Sequence, residues 1–405
     1  MNKRIVVTGL GVISSIGIGR EDFWNALIAG KSGISRIDSF DTADFPTHLG
    51  GEIKSFNPER FVAKEKINNF GRASCLVMAA AKLSLEDAGL SLNNSEKERI
   101  GVCVGTTMGE SQVLEKLNDA WINKGVDAID VDLICRYPAN VLSLNVSKEL
   151  GLKGPSYVIP TACAAGNYAI GYACDLIKKG IADIMLAGGT DAFSRIAFIG
   201  FNRLLAIAPE KCQPFDKNRK GMMVGEGAGI LVLETLEAAV QRNADIYAEV
   251  LGYGLSCDAH HMTAPYAPGI AKAIEKTLRE SRLKPEEIDY INAHGTGTPA
   301  NDREECLAIK EVFKEHSKKL LISSIKSMLG HTMGAASAIE AVACCLTVKN
   351  DVIPPTINYE TPDPDCEINC VPNKSKMVKV NIALNNASAF GGNNACLALK
   401  KINPK

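Results

Sequence analysis

Little in this 405-residue chain points to a membrane, a nucleic acid or an extracellular scaffold. No apolar run approaches the roughly 18 residues that a membrane span needs. Lys and Arg number 45 against 46 Asp and Glu, a formal net charge of −1. That balance offers no electrostatic case for nucleic acid or an acidic membrane surface, and neither is expected as a partner. The apolar stretch Ile5-Val-Val-Thr-Gly9 is too short for a secretory signal and reads as a first strand. No metal is expected: Cys366-x-x-x-Cys370 lacks a second Cys or His pair at zinc spacing, and nothing completes a shell around Asp258, His260 and His261. No nucleotide loop is present either. Ala389-Phe-Gly-Gly-Asn-Asn394 lacks Gly-Lys-Ser/Thr, Gly225-Glu-Gly-Ala-Gly229 fails the dinucleotide fingerprint, and Ser14 stands where Gly9-Leu-Gly11 would need a third glycine. The 13 cysteines are odd in number, scattered and set mostly in apolar runs. A disulfide scaffold is short and secreted, so reduced buried thiols in a cytoplasmic protein are the expectation for most of them.

What the chain does have is alternation. Apolar runs that end on glycine or polar turns predict strands at 5–9, 99–105, 156–160, 182–189, 230–234, 288–292, 320–325 and 380–384. Their near-continuous apolarity suits a sheet buried on both faces. Between them, helical spacing runs from Ser74 to Gly89, Ala139 to Gly151, Gly269 to Arg282 and Pro299 to Phe313. The fold class is therefore α/β. The stretch 60–66 and the proline-rich stretch 354–364 read as surface connections, and 400–405 as a fraying end.

A faint internal repeat runs through this pattern. Val6-Val-Thr-Gly-Leu-Gly-Val-Ile-Ser14 resembles Glu249-Val-Leu-Gly-Tyr-Gly-Leu-Ser256. Residues 155–176 run strand, small-residue turn, Ala/Gly-rich helix, and residues 320–348 repeat that order. Duplication follows, with a join near 240–250 and halves at 1–245 and 246–405.

Three turns could carry chemistry. In Val158-Ile-Pro-Thr-Ala-Cys163-Ala-Ala-Gly-Asn167 a strand ends and a helix begins, with Cys163 at the junction. Free N–H groups and the helix dipole would stabilise a thiolate there, making Cys163 the most reactive of the thiols. A buried structural thiol is the plainer alternative. His294 follows the strand 288–293, and His331 follows the strand 320–325. Open α/β sheets build their sites at such strand ends, so two histidines and one cysteine together point to a thiol-dependent site. Lys326 lies in the same turn as His331 and could orient it; a solvated loop lysine is the alternative.

Seven motifs in order then resemble one family: Val6-Val-Thr-Gly-Leu-Gly, Thr161-Ala-Cys-Ala-Ala-Gly, Pro214-Phe-Asp-Lys-Asn-Arg-Lys-Gly with Gly225-Glu-Gly-Ala-Gly, Asp258-Ala-His-His-Met-Thr, Ala293-His-Gly-Thr-Gly-Thr, Lys326-Ser-Met-Leu-Gly-His and Asn386-Ala-Ser-Ala-Phe-Gly-Gly-Asn-Asn. The chain resembles the elongating β-ketoacyl-[acyl-carrier-protein] synthases, including type II polyketide ketosynthases. The resemblance implies the thiolase fold, five layers αβαβα built from two similar halves. It implies an acyltransferase that performs decarboxylative Claisen condensation of a bound acyl group with malonyl-[acyl-carrier-protein] to give the 3-oxoacyl product. No cofactor is bound; substrates ride on the phosphopantetheine of an acyl carrier protein. The chain would pair with itself, or with a ketosynthase-like partner.

The resemblance also implies roles. Cys163 would be the nucleophile. His294 and His331 would assist decarboxylation and bind the enolate oxygen, with Lys326 holding the His331 side and Glu340 behind it. The amides of Cys163 and Phe390 would form an oxyanion hole. Phe390 would gate the nucleophile, with Gly391 and Gly392 as its hinge. Thr296 and Thr298 would bind the phosphopantetheine arm. Met108 and Phe201 would line the acyl pocket; for Met108, packing at a dimer interface is an equal alternative. Arg60, Lys64, Lys66 and Arg72 would dock an acidic carrier, or form a solvated charged face. Relatives often carry Thr or Ser near Ala164-Ala165-Gly166-Asn167, a departure that bears on the acyl pocket. Two other readings are a non-catalytic partner subunit of the chain-length-factor kind, which would lack the cysteine, and a thiolase-type acyltransferase, which uses a different Cys/His set. Acyl length, and fatty acid against polyketide or polyene product, stay open.

Overall fold

The computed structural model describes residues 3–91 and 97–402. The main path of its central sheet runs through ten strands: β1 (Ile5–Ser14), β2 (Ile100–Gly105), β3 (Ser156–Ile159), β4 (Ile184–Asp191), β5 (Gly227–Thr235), β6 (Ala248–Cys257), β7 (Tyr290–Asn292), β8 (Leu321–Ser323), β9 (Ile382–Ser388) and β10 (Asn393–Lys400). An eleventh, Gly17–Ile18, hairpins onto β1. The order across the sheet is β8-β7-β9-β10-β6-β1-β5-β4-β2-β3. That order reads the same outward from its centre. From β1 the neighbours are β5, β4, β2 and β3; from β6 they are β10, β9, β7 and β8. Directions match too: β2 is parallel to β3 and β4, β7 is parallel to β8 and β9, and β4–β5 and β9–β10 are antiparallel. β1 and β6 pair antiparallel through Ile5 with Val250 and Val7 with Ala248. The sequence repeat of 6–14 with 249–256 falls on these two central strands.

Six helices complete the duplication: α1 (Arg72–Asp87), α2 (Val141–Leu150), α3 (Ala165–Lys178), α4 (Ala267–Ser281), α5 (Pro299–Phe313) and α6 (Ala336–Asn350). α1 packs on β1 and β5, and α4 on β6 and β10, so each half carries its own outer helices. α3 and α6 lie between the two halves and touch each other. α6 is buried from Ala336 to Val348, which its small, apolar composition allows. Gly166 makes the α3–α6 contact possible, since a Cβ there would lie 2.5 Å from the Ala338 nitrogen. Outer helices, one half of the sheet, inner helices, the other half of the sheet and outer helices make five layers. Pro299 sits in the first turn of α5 and Gly89 takes φ +62 just past α1, as the turn chemistry predicts.

Two expected surface connections differ. Residues 60–66 are not plain loop, because Pro58–Arg60 and Lys64–Ile67 are short helices. In 354–364, Pro354, Pro355, Thr356 and Ile357 are buried. Thr356 accounts for this: its hydroxyl accepts from the Ser324 N–H at 3.0 Å, tying the segment under β8. The expected fraying does not include Lys400, which ends β10; residues 403–405 lie outside the described residues.

Candidate active site

The two inner helices begin in the same way. After β3 the chain makes a 3-10 turn, Ala162–Ala164, and runs into α3. After β8 it makes the turn Met333–Ala335 and runs into α6. Each turn starts with a residue forced to positive φ, Ala162 at 49° and Met333 at 54°. Such strain costs on the order of 1–3 kcal/mol and persists only where the surroundings impose it. At the next position the halves diverge. The first turn carries Cys163, and the second carries Gly334, whose Cβ would meet the backbone of Thr106 and Thr107 at 2.5 Å. The duplication therefore leaves room for one thiol only.

Cross-half hydrogen bonds hold the cysteine turn. The Ser337 hydroxyl donates to the Cys163 carbonyl at 3.2 Å and accepts from the Asn167 N–H at 3.1 Å. The Asn385 side-chain amide donates to Asn167 Oδ1 and the Asn167 amide donates to the Asn385 main-chain carbonyl, each at 2.9 Å.

Cys163, His294 and His331 border one cavity of about 330 Å³, with Phe201, Thr296 and Phe390 also on its wall. That size suits a small acyl or pantetheine group. The two imidazole centroids are 5.3 Å apart and nearly perpendicular, at 82°. Burial, helped by the Lys326 charge, pushes both histidines well below the usual imidazole range, so both are neutral at pH 7. His331 accepts the Met333 N–H on Nδ1 at 3.1 Å. Its proton is therefore on Nε2, which makes that atom a donor. His294 Nδ1 is buried with no hydrogen-bond partner among the described residues. Its place is set through the main chain instead: Glu305 accepts the N–H groups of His294 and Gly295, each at 2.8 Å.

Lys326 is no solvated lysine. It is 1% exposed and ion-paired with buried Glu340. Burial pushes the Glu340 carboxyl up to about 7, against the pull of Lys326. Glu305 is likewise pushed up to about 7 by burial.

The expectation of an acidic thiol does not hold in this structure. Burial pushes Cys163 up to about 12, and the carboxylates of Asp191 and Glu340 act in the same direction. The local turn supplies free N–H groups, but desolvation exceeds their effect. Reactivity ordered by exposure also changes, because Cys135 and Cys257 are exposed while Cys163 is buried.

Phe390 stacks at a tilt on Phe201, with centroids 5.5 Å apart. Gly391 and Gly392 follow at φ +80 and +76, a backbone that a Cβ disfavours. The Gly391 N–H donates to the Met262 carbonyl at 2.8 Å, and the Gly392 carbonyl accepts from Asp258 at 2.9 Å. Thr296 and Thr298 share a hydroxyl hydrogen bond of 2.9 Å on the cavity wall. Met108 lies outside the cavity lining; its N–H donates to Asp191 at 2.9 Å.

The basic cluster separates. Arg72 forms a two-pronged pair with Glu226, at 2.7 and 2.6 Å, so its charge is engaged inside the first half. Lys66 pairs with Glu149 at 3.1 Å. Lys64 is highly exposed, and Arg60 lies over the Phe61 ring.

Residue reasoning missed Asp191, Glu226 and Glu305. Asp191 accepts from the Thr106 hydroxyl and from the Thr107, Met108 and Gly334 N–H groups at 2.6–2.9 Å, joining the two halves beside the cysteine turn. Burial pushes it up to about 6. A carboxylate two residues beyond Gly188-Gly189 was the available signal. Among the described residues no cluster of His, Cys, Asp and Glu is placed to hold a metal, and no helix is long and apolar enough to cross a membrane.

Comparison with known proteins agrees with this geometry. The family described as beta-ketoacyl synthase, N-terminal domain, matches residues 2–239, and its C-terminal domain matches residues 247–360. A 3-oxoacyl-[acyl-carrier-protein] synthase 2 from Synechocystis sp. is 42% identical over 98% of both chains. The ishigamide ketosynthase/chain length factor superposes with a TM-score of 0.97 at 46% identity over 100% of both chains. A type II polyketide ketosynthase, solved with its acyl-carrier protein and bound to the hexaketide, gives a TM-score of 0.91 at 34% identity over 100% of both chains.

Proposed function

The chain belongs to the beta-ketoacyl synthase family, and from that premise we propose how its own residues perform the condensation. It is an acyltransferase that extends an acyl chain by decarboxylative Claisen condensation, in fatty acid or polyketide synthesis. The observation that carries the residue roles is the meeting of Cys163, His294 and His331 on one cavity wall.

In the first half-reaction the Cys163 thiol attacks the acyl thioester of the carrier. With a thiol pushed up to about 12, the thiolate population at pH 7 is small, on the order of one in 10⁵. Proton removal must accompany attack. His294 is neutral and its Nδ1 has no partner, so the ring can take that proton and return it to the departing pantetheine thiol. The amides of Cys163 and Phe390 receive the negative oxygen of the tetrahedral intermediate.

In the second half-reaction malonyl carrier protein loses CO2 and becomes an enolate. The Nε2–H of His331, fixed by the Met333 contact, donates to the enolate oxygen, and His294 supplies the second donor. A charged imidazolium would donate its proton outright; a neutral ring holds the enolate as a carbon nucleophile. The enolate carbon attacks the Cys163 thioester, the carbon–sulfur bond breaks, and the sulfur leaves as thiolate and takes a proton from water. Lys326 and Glu340 position the His331 side. Thr296 and Thr298 hold the arm, Phe390 gates on its Gly391–Gly392 hinge, and Phe201 borders the acyl group.

Residues 1–245 would thus supply the nucleophile and 246–405 the histidines. An acyl carrier protein is the proposed partner, in the cytoplasm, with the exposed Arg60, Lys64 and Lys66 as docking cations. The free edge of β3, where Ser156 and Tyr157 are exposed, supports a dimer with itself or with a ketosynthase-like chain. A non-catalytic partner role is disfavoured by the intact Cys163, His294 and His331.

The test is a panel of acyl carrier proteins bearing different chain lengths and unsaturation, each mixed with malonyl carrier protein and followed by mass spectrometry. Formation of 3-oxoacyl product supports the reading. No product from any acyl length, with a folded protein, overturns it.

A further inference from the structure

We propose that Leu204, Leu205 and Met262, on the rim of the catalytic cavity, form an apolar seat for the body of the acyl carrier protein. The proposal rests on the condensing reading above and names the surface that receives the carrier.

The first observation is a backbone cost without a return inside the chain. The helix Arg195–Arg203 closes with two hydrogen bonds, Leu205 N–H to the Asn202 carbonyl and Ala206 N–H to the Phe201 carbonyl, both at 3.0 Å. This closing motif puts one residue in the left-handed region, where glycine is preferred. The same pair of bonds closes α1 and α3, and there the residue is Gly89 and Gly180. Here it is Leu205, at φ +54. Its side chain is 89% exposed, so packing does not offset the strain.

The second observation is place. Leu204, Leu205 and Met262 line the same cavity as Thr296, Thr298 and Cys163, and they are exposed while Cys163 and Thr296 are buried, which puts them at its outer side. Leu204 is 51% exposed and Met262 68%, so the rim is apolar from both the helix end and the 258–265 loop. An arm that enters this opening is joined by a phosphodiester to the protein that carries it. That protein must then lie against the rim. Beside the rim, exposed Arg203 makes no ion pair among the described residues, which complements the phosphodiester charge. The three apolar side chains and one cation would receive the carrier where its phosphodiester emerges.

The experiment compares one acyl group delivered on an acyl carrier protein and on free pantetheine. Transfer to the enzyme is measured for Leu205→Gly, Leu205→Asn and Leu205→Met. Losing a buried leucine contact should raise KM for the carrier-borne donor about tenfold in the Gly and Asn variants, with kcat kept. KM for the pantetheine donor should stay within about twofold, and Leu205→Met should retain wild-type behaviour. Leu205→Gly should also raise Tm, since glycine relieves the strain. An unchanged carrier KM overturns the proposal. So does an equal rise for both donors, which would place the rim against the arm alone. Dissociation into monomers with carrier KM unchanged would assign the rim to a second copy of the chain instead. If the wild-type chain accepts an acyl group from neither donor, the catalytic reading fails and the docking proposal falls with it. Transfer by the wild type with an indifferent Leu205 sinks the rim proposal only.

Discussion

Glu305 holds His294 without touching its ring. The two carboxylate oxygens take the His294 and Gly295 N–H groups at 2.8 Å, and this fixes the turn from which the imidazole projects. In Glu305→Gln one of those N–H groups would face an amide N–H. The lost bond costs about 1–3 kcal/mol, concentrated at His294. Because His294 serves both half-reactions, malonyl decarboxylation and acyl transfer to Cys163 should each fall roughly tenfold or more. Unchanged rates in both steps would reject a positioning role for Glu305.

Lys326 and Glu340 form a buried ion pair in which each charge needs the other. Glu340→Gln leaves a lysine charge uncompensated and should destabilise the fold by about 3–5 kcal/mol. Replacing both, as Lys326→Met with Glu340→Leu, should recover most of that stability, because desolvation of both charges is avoided. Condensation should stay lost in the double variant, since His331 then lacks its charged neighbour. Denaturant unfolding and a condensation assay read the two outcomes separately; a fully active double variant contradicts the positioning role.

Cys163→Ala should abolish condensation. Cys163→Gln fills the same space and leaves both histidines, so it should release CO2 from malonyl carrier protein without forming 3-oxoacyl product. A thiol pushed up to about 12 also predicts that iodoacetamide reacts with Cys163 about tenfold faster for each pH unit between 7 and 10. At pH 7 the exposed Cys135 and Cys257 should label first. An acyl-carrier substrate, in contrast, should acylate Cys163 alone. Peptide mapping distinguishes the cases, and rapid alkylation of Cys163 at pH 7 would contradict its raised pKa.

Neutral histidines have a stability signature. The folded values of His294 and His331 lie well below the unfolded value near 6.5. Below that pH the unfolded chain gains protons that the native site refuses, so the two groups lower stability as pH falls through the 6.5–5 range. Replacing both by Asn removes that loss. The Tm of the double variant should therefore drop less than wild type between pH 7.5 and 5.5. Nitrogen NMR of the wild type should show His331 protonated on Nε2 at pH 7. Parallel Tm curves, or an Nδ1-protonated His331, would contradict the assignment.

The element pattern was legible because it is local. Apolar runs and helical spacing placed β4, α1, α4 and α5 within a few residues of their true limits, β1 runs on through Gly9 to Ser14 where a turn was expected, and the likeness of 6–14 to 249–256 located the central strand pair. The strand-end positions of Cys163, His294 and His331 were equally local. Arg72 was not legible: its neighbours in sequence suggest a basic surface, and only folding brings Glu226 to it from 154 residues away.

By itself, then, the sequence determined the order of strands and helices, the doubled architecture and the three turns that carry a thiol and two imidazoles. Backbone preference and side-chain periodicity act over a few residues, so those features are written into short stretches. The tertiary structure decided how the groups behave. It buried Cys163 until its thiol became weakly acidic, kept both rings uncharged, matched Lys326 with Glu340 and set Asp191 across the two halves, 143 residues from Gly334. Those properties depend on desolvation and on partners far apart in the chain, and neither exists before the layers close.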